Sequence, residues 1–257
     1  IHPFLRTSLR QFGLYDIFLV DPRKGNIVYS VFKEVDFGTS LQDGPFARSR
    51  LADAFRKSWA LERPGQIALS EFGEYLPSYN DQAAFLGTPI FDGGRKIGVL
   101  VVQVPIDKIN SVMTHEGEWK ERGLGDTGET YLVSMADGTP RSVARLAVED
   151  IDAYAKSVED AGFAKGLANA VKAKGTSIGL VPIKTQATAD VFEKGRAGFG
   201  VYPNYAKVDV LGAYAPLDVL ALKWAIVAEI QATEAFKPVI AVRDKVVMWS
   251  AGIAVGL

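Results

Sequence analysis

Few residues in this chain have the type and spacing to do chemistry. Gly123-x-Gly125-x-x-Gly128 has the spacing of a phosphate-cradling loop, in which a strand delivers the glycines and a helix N-terminus meets the pyrophosphate. The flanking patterns run the other way. A helical apolar stripe precedes the triplet and a strand-like Glu129–Val133 follows it, so it reads as a flexible entry into a strand. His2 and His115 fall near helix ends and are a thin supply for a metal site or a Ser-His relay. The chain has no GxSxG, HExxH or P-loop lysine pattern. Glu71 with Glu74, and Asp150 with Asp152, are pairs of a kind used in acid/base chemistry, but among 30 acidic residues they read as solvated surface. The absence of cysteine excludes a thiol nucleophile, thiolate metal ligation and disulfides. No catalytic residue, metal site or cofactor is predicted.

The remaining candidates are suited to binding. Tyr75, Ser78 and Tyr79 lie in an irregular stretch, Glu74 to Gln82, and offer the mixture of aromatic and polar groups that a small-molecule pocket needs. Gln103 interrupts an apolar strand and by alternation shares a face with Val99 and Val101. A buried amide left without partners costs about 1–3 kcal/mol, so Gln103 either pins a loop or meets a ligand. Trp59 and Phe85 supply walls, and Arg56 supplies a charge one turn from Trp59.

The elements that position these groups follow from periodicity. Leu5, Leu9 and Phe12 have helical spacing and stop at Gly13. Strands are predicted at Ile17 to Val20 and Ile27 to Phe32, around a Pro22–Gly25 turn. A helix is predicted over Ala47 to Ala60, with Leu51, Phe55 and Trp59 on one face. A strand near Ile67 to Phe72 and a hairpin of Ala84–Phe91 with Lys96–Val104, turned at Asp92-Gly93-Gly94, complete the first half. That order is PAS-like. A bridging helix, Ile106 to Arg122, leads to a second half with strands at Glu129–Val133, Arg141–Arg145, Thr176–Ile183, Ala197–Tyr202, Asp209–Ala215 and Trp224–Ile230, and one helix from about Glu149 to Lys174.

The two halves repeat one another. Tyr15–Asp21 followed by a Pro-Gly turn matches Thr130–Ser134 followed by Ala136-Asp137-Gly138, and Leu86-Gly87 matches Leu211-Gly212, at an offset of roughly 113 to 125 residues. The fold class is α+β with two modules. A chain of 257 residues, 48% hydrophobic, can bury two such cores. Lysine plus arginine (29) nearly balances the 30 acids, which gives no electrostatic reason to expect a nucleic-acid partner.

Gly123-Leu124-Gly125-Asp126-Thr127-Gly128-Glu129-Thr130-Tyr131-Leu132-Val133, followed by Arg141-Ser142-Val143-Ala144-Arg145, resembles the signature of double Cache sensor domains, with Ala144 in place of a second serine. Tyr15–Asp21, Val28–Glu34, Tyr75-Leu76-Pro77-Ser78, Val102–Asp107 and Trp224–Ile230 extend the resemblance over almost the whole chain. It implies two tandem PAS-like modules, each an antiparallel sheet with flanking helices, after a long N-terminal stalk helix: residues 1–14 end the stalk, 15–105 form the membrane-distal module, 106–122 the bridge, 123–235 the membrane-proximal module, and 236–257 the exit. It further implies an inner-membrane receptor of histidine kinase, cyclase or chemoreceptor type, with this portion periplasmic or extracellular. Such a domain binds a small molecule in the distal copy and pairs as a homodimer. Amino-acid-sensing members carry an Arg-x-Trp-Tyr pattern and an Asp on the last strand. Here Arg56 lies three positions before Trp59, Ala60 replaces the Tyr, and Gln103 stands in the place of the Asp. A neutral or anionic ligand is therefore expected in preference to an amino acid, at Trp59, Tyr75, Ser78, Phe85 and Gln103, with Arg56 assisting. The competing reading is an exported soluble enzyme or solute-binding protein with a hydrophobic C-terminal helix.

Val246–Leu257 carries no charge and is shorter than the roughly 20 residues a membrane crossing needs. It is expected to be the start of a transmembrane helix, with Trp249 at the interface. Deletion of residues 246–257 should then leave a protein that stays soluble and melts cooperatively in a thermal scan; loss of the transition would make the segment part of a core.

Overall fold

The computed structural model describes residues 1–243; the apolar Val246–Leu257 segment lies outside the described residues. No helix among the described residues is long and apolar enough to cross a membrane. The chain divides into two compact units, one made of Ile1–Asn110 with Asp218–Lys223, the other of Ser111–Leu217 with the chain from Trp224 on.

The first unit opens with α1 (His2–Phe12), which stops where Gly13 turns left-handed (φ +62°) and returns its N–H to Arg10 and Leu9. Leu9 is buried with Ile17 and Val31. The sheet contains β1 (Ile17–Val20), β2 (Ile27–Ser30), β3 (Ala68–Leu69), β4 (Gly73–Tyr75), β5 (Asp81–Asp92) and β6 (Arg95–Val104). Its order is β2-β1-β6-β5-β3, with β4 also paired to β5. Between β2 and β3 lies α2 (Arg50–Ala60). Its cap, Ser49, accepts the Ala52 N–H, as an N-cap serine should. Leu51 and Phe55 of α2 bury against Phe18, Val20, Phe85, Val99 and Val101, and Trp59 packs at the margin of that core. The strand expected over Ile67–Phe72 shrinks to two residues, and the stretch expected to be irregular contains β4 and a single 3-10 turn, Leu76–Ser78.

In the second unit β7 (Glu129–Ser134), β8 (Gly198–Pro203), β9 (Asp209–Val219) and β10 (Leu222–Gln231) run in the order β7-β10-β9-β8. The first sheet contains the same path as β1-β6-β5-β3, so the repeat read from the sequence is a repeat of topology. Several helical expectations differ. The bridging helix ends early: α3 covers only Ile106–Met113, because His115 and Glu116 turn left-handed (φ +52° and +56°). No strand forms over Arg141–Arg145. Pro140 makes one isolated bridge to Val133, Arg141 N–H reaches Leu132 O at 2.8 Å, and the chain then enters α4 (Arg145–Glu149). The single helix expected from Glu149 to Lys174 is broken into α4, α5 (Ile151–Asp160) and α6 (Lys165–Lys174). Asp150 caps α5 through Ala153 N–H, and Gly162 (φ +93°) separates α5 from α6. Thr176–Ile183 forms no strand and is followed by α7 (Gln186–Lys194), whose capping box pairs Thr185 with Thr188. α8 (Ala232–Ala235) follows β10.

One close approach seats α2 on its sheet. A Cβ added at Gly87 of β5 would collide with the Ser58 side chain of α2, so glycine sets the helix-to-sheet spacing there. Gly87→Ala is expected to destabilise the protein by about 1–3 kcal/mol in urea titration. Adding Ser58→Ala should recover part of that loss, because the buried Ser58 hydroxyl has no hydrogen-bond partner to give up.

Candidate functional site

Pairing of β1 with β6 aligns two polar residues at one end of the first unit's sheet. Gln103 donates its N–H to Asp16 O at 2.9 Å, and Tyr15 donates to Gln103 O at 3.2 Å, next to the Ile17–Val102 and Phe18–Val101 registers. Alternation puts Asp16 and Gln103 on the same face as Phe18 and Val101. Phe85 is the β5 partner of Gln103. A row of Phe85, Gln103 and Asp16 thus crosses the core-facing side of three strands.

The turn after β4 covers this row. Tyr75 stands edge-on to Phe85 with centroids 4.9 Å apart, and donates its hydroxyl to Asp36 Oδ2. Ser78, also buried, accepts from Gln103 Nε2 at 3.0 Å. Tyr79 and Asn80 close the turn in left-handed geometry (φ +56° and +60°). Gln103 therefore pins a loop, but with only half of its amide. Its Oε1, buried in a residue that is 3% exposed, has no hydrogen-bond partner.

Three carboxylates adjoin. Asp16 is fully buried; its Oδ1 accepts the Ile17 and Val31 N–H groups at 2.6 and 2.9 Å, while Oδ2 has no partner. Asp36 is equally buried, and its Oδ1 is likewise without a partner. Glu34 Oε2 is the third such atom. Burial pushes the Asp16 carboxyl up to about 6, against the pull of the backbone N–H groups. Burial also raises Glu34 to about 6, reinforced by the charges of Asp36 and Asp16. Asp36 is raised by burial too. Among the described residues no Lys or Arg forms an ion pair with any of the three.

Of the residues singled out by sequence, Tyr75, Ser78, Phe85 and Gln103 come together here. Trp59 packs on the same core but its ring lies under Lys96 Nζ, 4.6 Å from the centroid. Arg56 is exposed and donates to Ala47 O at 2.9 Å, outside the cluster. Asp16, Glu34 and Asp36 escaped sequence reasoning. A signal existed for the first: alternation from Phe18 and Val20 runs straight back to Asp16.

The second unit has a polar centre at the equivalent end of its sheet. Glu129 and Glu229 are direct register partners on β7 and β10. Glu129 accepts from the Tyr205 hydroxyl at 2.7 Å and the Arg145 N–H at 2.9 Å; Glu229 accepts from the Tyr131 hydroxyl at 2.9 Å and Asn204 at 3.1 Å. They line a cavity of about 200 Å³ with Arg145, Asn204 and Tyr205. Burial, and then the neighbouring Glu129 charge, lift Glu229 to about 8, and burial raises Glu129 as well, so near neutral pH the pair holds a proton. A carboxyl with a folded-state pKa above its unfolded value binds protons more tightly when folded, so its contribution to stability is greatest at low pH and is lost as pH rises. For Glu229 that loss spans the range from 4.5 to about 8, and Asp16 and Glu34 add loss of the same sign up to about 6. Unfolding free energy measured in urea should fall between pH 5 and 8. Glu229→Gln should flatten the upper part of that slope; an unchanged slope would remove Glu229 as its source.

A model of the Cache domain, dCache_1, matches residues 4–239. No curated protein matches the chain. Among solved structures, the ligand-binding domain of the Pseudomonas aeruginosa PAO1 chemoreceptor PctC, in complex with GABA, superimposes with a TM-score of 0.52 at 13% identity, covering 90% of this chain and 80% of that one. The ligand-binding domain of the Pseudomonas fluorescens chemoreceptor CtaA, in complex with L-leucine, gives 0.51 at 12% identity, covering 91% and 78%. An extracellular ligand binding receptor from Desulfohalobium retbaense DSM5692 gives 0.52 at 16% identity. The match covers 89% of this chain but 32% of that receptor, so the chain spans about a third of its length. These likenesses show the fold, two antiparallel sheets with flanking helices. The family match, over nearly the whole chain, shows the rest: the chain belongs to the Cache family of non-catalytic, ligand-binding sensor domains, in its double form.

Proposed function

We propose that this chain is the extracytoplasmic ligand-sensing domain of a membrane-anchored bacterial signalling receptor of kinase, cyclase or chemotaxis type, and that a small molecule binds in its first unit. The observation that carries this reading is the polar row at the core-facing end of the first sheet, where Gln103 spends one half of a buried amide on Ser78 and leaves the other half open. A core needs no such group. A ligand that completes it is bound by Gln103, Tyr75 and Ser78 against a Phe85 wall, with Trp59 at the margin and Arg56 outside. The chemoreceptor domains of similar fold, in complex with GABA and with L-leucine, support a ligand of metabolite size.

Transmission needs an element that both the ligand and the membrane can bias. α1 ends at Gly13, three residues before Asp16, so a shift at the site reaches that helix through a very short connection. A ligand that binds two arrangements of this end of the sheet with different affinity shifts their populations. Pairing of two copies through their entry helices turns that shift into motion between subunits.

A metabolite screen by thermal denaturation tests the reading, since a ligand at a hundred times its dissociation constant adds about 2.7 kcal/mol. Gln103→Ala should abolish the ligand-induced rise in melting temperature. Gly87→Ala, destabilised elsewhere in the same unit, should keep it. A ligand that protects only the Ser111–Leu217 unit from hydrogen exchange would overturn the assignment. Tyr75→Ala is not the substitution to use: Tyr75 is a fully buried core ring, and its truncation removes about 3–5 kcal/mol of packing.

A further inference from the structure

We infer that the first unit's site takes a small organic cation, with an ammonium or amidinium group held among Asp16, Glu34 and Asp36; this rests on the reading that the first unit is the ligand-binding one. The argument turns on the kind of atom left open. Asp16 Oδ2, Glu34 Oε2, Asp36 Oδ1 and Gln103 Oε1 are the cluster's buried atoms without partners. Three belong to carboxylates and the fourth is an amide oxygen. Ionised carboxylates accept and never donate, whereas an ammonium donates and never accepts, so the open atoms are complementary to that group. Tyr75 OH is engaged with Asp36 and one N–H of Gln103 Nε2 with Ser78, and the four open acceptors are served by neither.

Charge points the same way. A buried anion is costly without a paired opposite charge, and among the described residues none of the three carboxylates has one. Lys33, next to Glu34 in sequence, directs its Nζ to Ser30 O and over the Tyr29 ring. An anionic ligand would meet carboxylates with no compensating cation, which reverses the expectation of a neutral or anionic ligand drawn from Gln103 alone. A bare metal ion fits poorly, because among the described residues no three acidic or histidine side chains are disposed to hold one. An organic cation, whose N–H groups diverge, reaches separated acceptors. Its charge is met from the β1 side of the sheet and from the loop after β2, not from the last strand, where Gln103 stands.

Matched four-carbon probes test this on the purified chain: butylammonium, 1,4-diaminobutane, γ-aminobutyrate, butyrate and 1-butanol, each followed by calorimetric titration and thermal denaturation. At least one of the three amines should bind and raise the melting temperature, while butyrate and butanol should do neither. Asp36→Asn and Asp16→Asn should each weaken amine binding by about tenfold or more, since about 1.4 kcal/mol is a factor of ten. Should either variant fail to fold, Glu34→Gln, at a half-buried position, serves in its place with the same expected sign. No response to any amine overturns the inference. Binding of butyrate or butanol that is lost in Gln103→Ala overturns the cation inference and leaves the first-unit reading standing. Amine binding that survives both Asp36→Asn and Gln103→Ala places the ligand elsewhere and overturns both.

Discussion

The antiparallel pairing of a module's first strand with its last is the constraint on which the site depends. Strand pairing fixes which residues face each other and, because side chains alternate, which face they take. Once Ile17 is opposite Val102 and Phe18 opposite Val101, Asp16 and Gln103 have no freedom to leave the core side. The apolar mass of Phe18, Phe55, Phe85 and Val101 holds that register, and a polar pair is carried into the interior at its end.

The second module obeys the same constraint with different residues. Glu129 precedes Tyr131 as Asp16 precedes Phe18, and Glu229 faces Glu129 as Gln103 faces Asp16. In both copies an acid at the start of the first strand lies against a polar residue of the last. The surroundings diverge. In the second copy Tyr205, Tyr131, Asn204 and the Arg145 N–H satisfy the carboxylates, whereas in the first copy four acceptors stay open. One centre is closed by its own hydrogen bonds; the other is not.

Much of this fold could be read in the sequence because its strands and α2 are governed by short-range pattern. β1 matches its predicted bounds, and the β5–β6 hairpin follows from Asp92-Gly93-Gly94 between alternating apolar residues. The helical insertion between β7 and β8 was poorly legible, since Asp150, Gly162 and the Thr185–Thr188 box break what looks by hydrophobicity like one helix and a strand. The site was half legible. Gln103 stood out as a polar residue in an apolar strand, and Tyr75 and Ser78 as polar groups in a loop. Asp36 could not be found this way, because a loop after β2 brings it to Tyr75 across 39 positions. Arg56 misled because helical spacing places it near Trp59, while its guanidinium turns back to Ala47.

The shared frame bears on how such a domain changes over generations. Inserting one residue between Asp16 and Phe18 would turn the carboxylate out of the interior and break the sheet register with it, so length variation is penalised at this point. Exchange among Asp, Glu, Gln and Asn keeps the frame and alters only charge and reach, as the Asp16–Gln103 and Glu129–Glu229 pairs of this one chain already illustrate. The chemistry at the sheet's end is thereby separated from foldability: descendants can exchange polar groups at two strand ends while inheriting an unaltered scaffold.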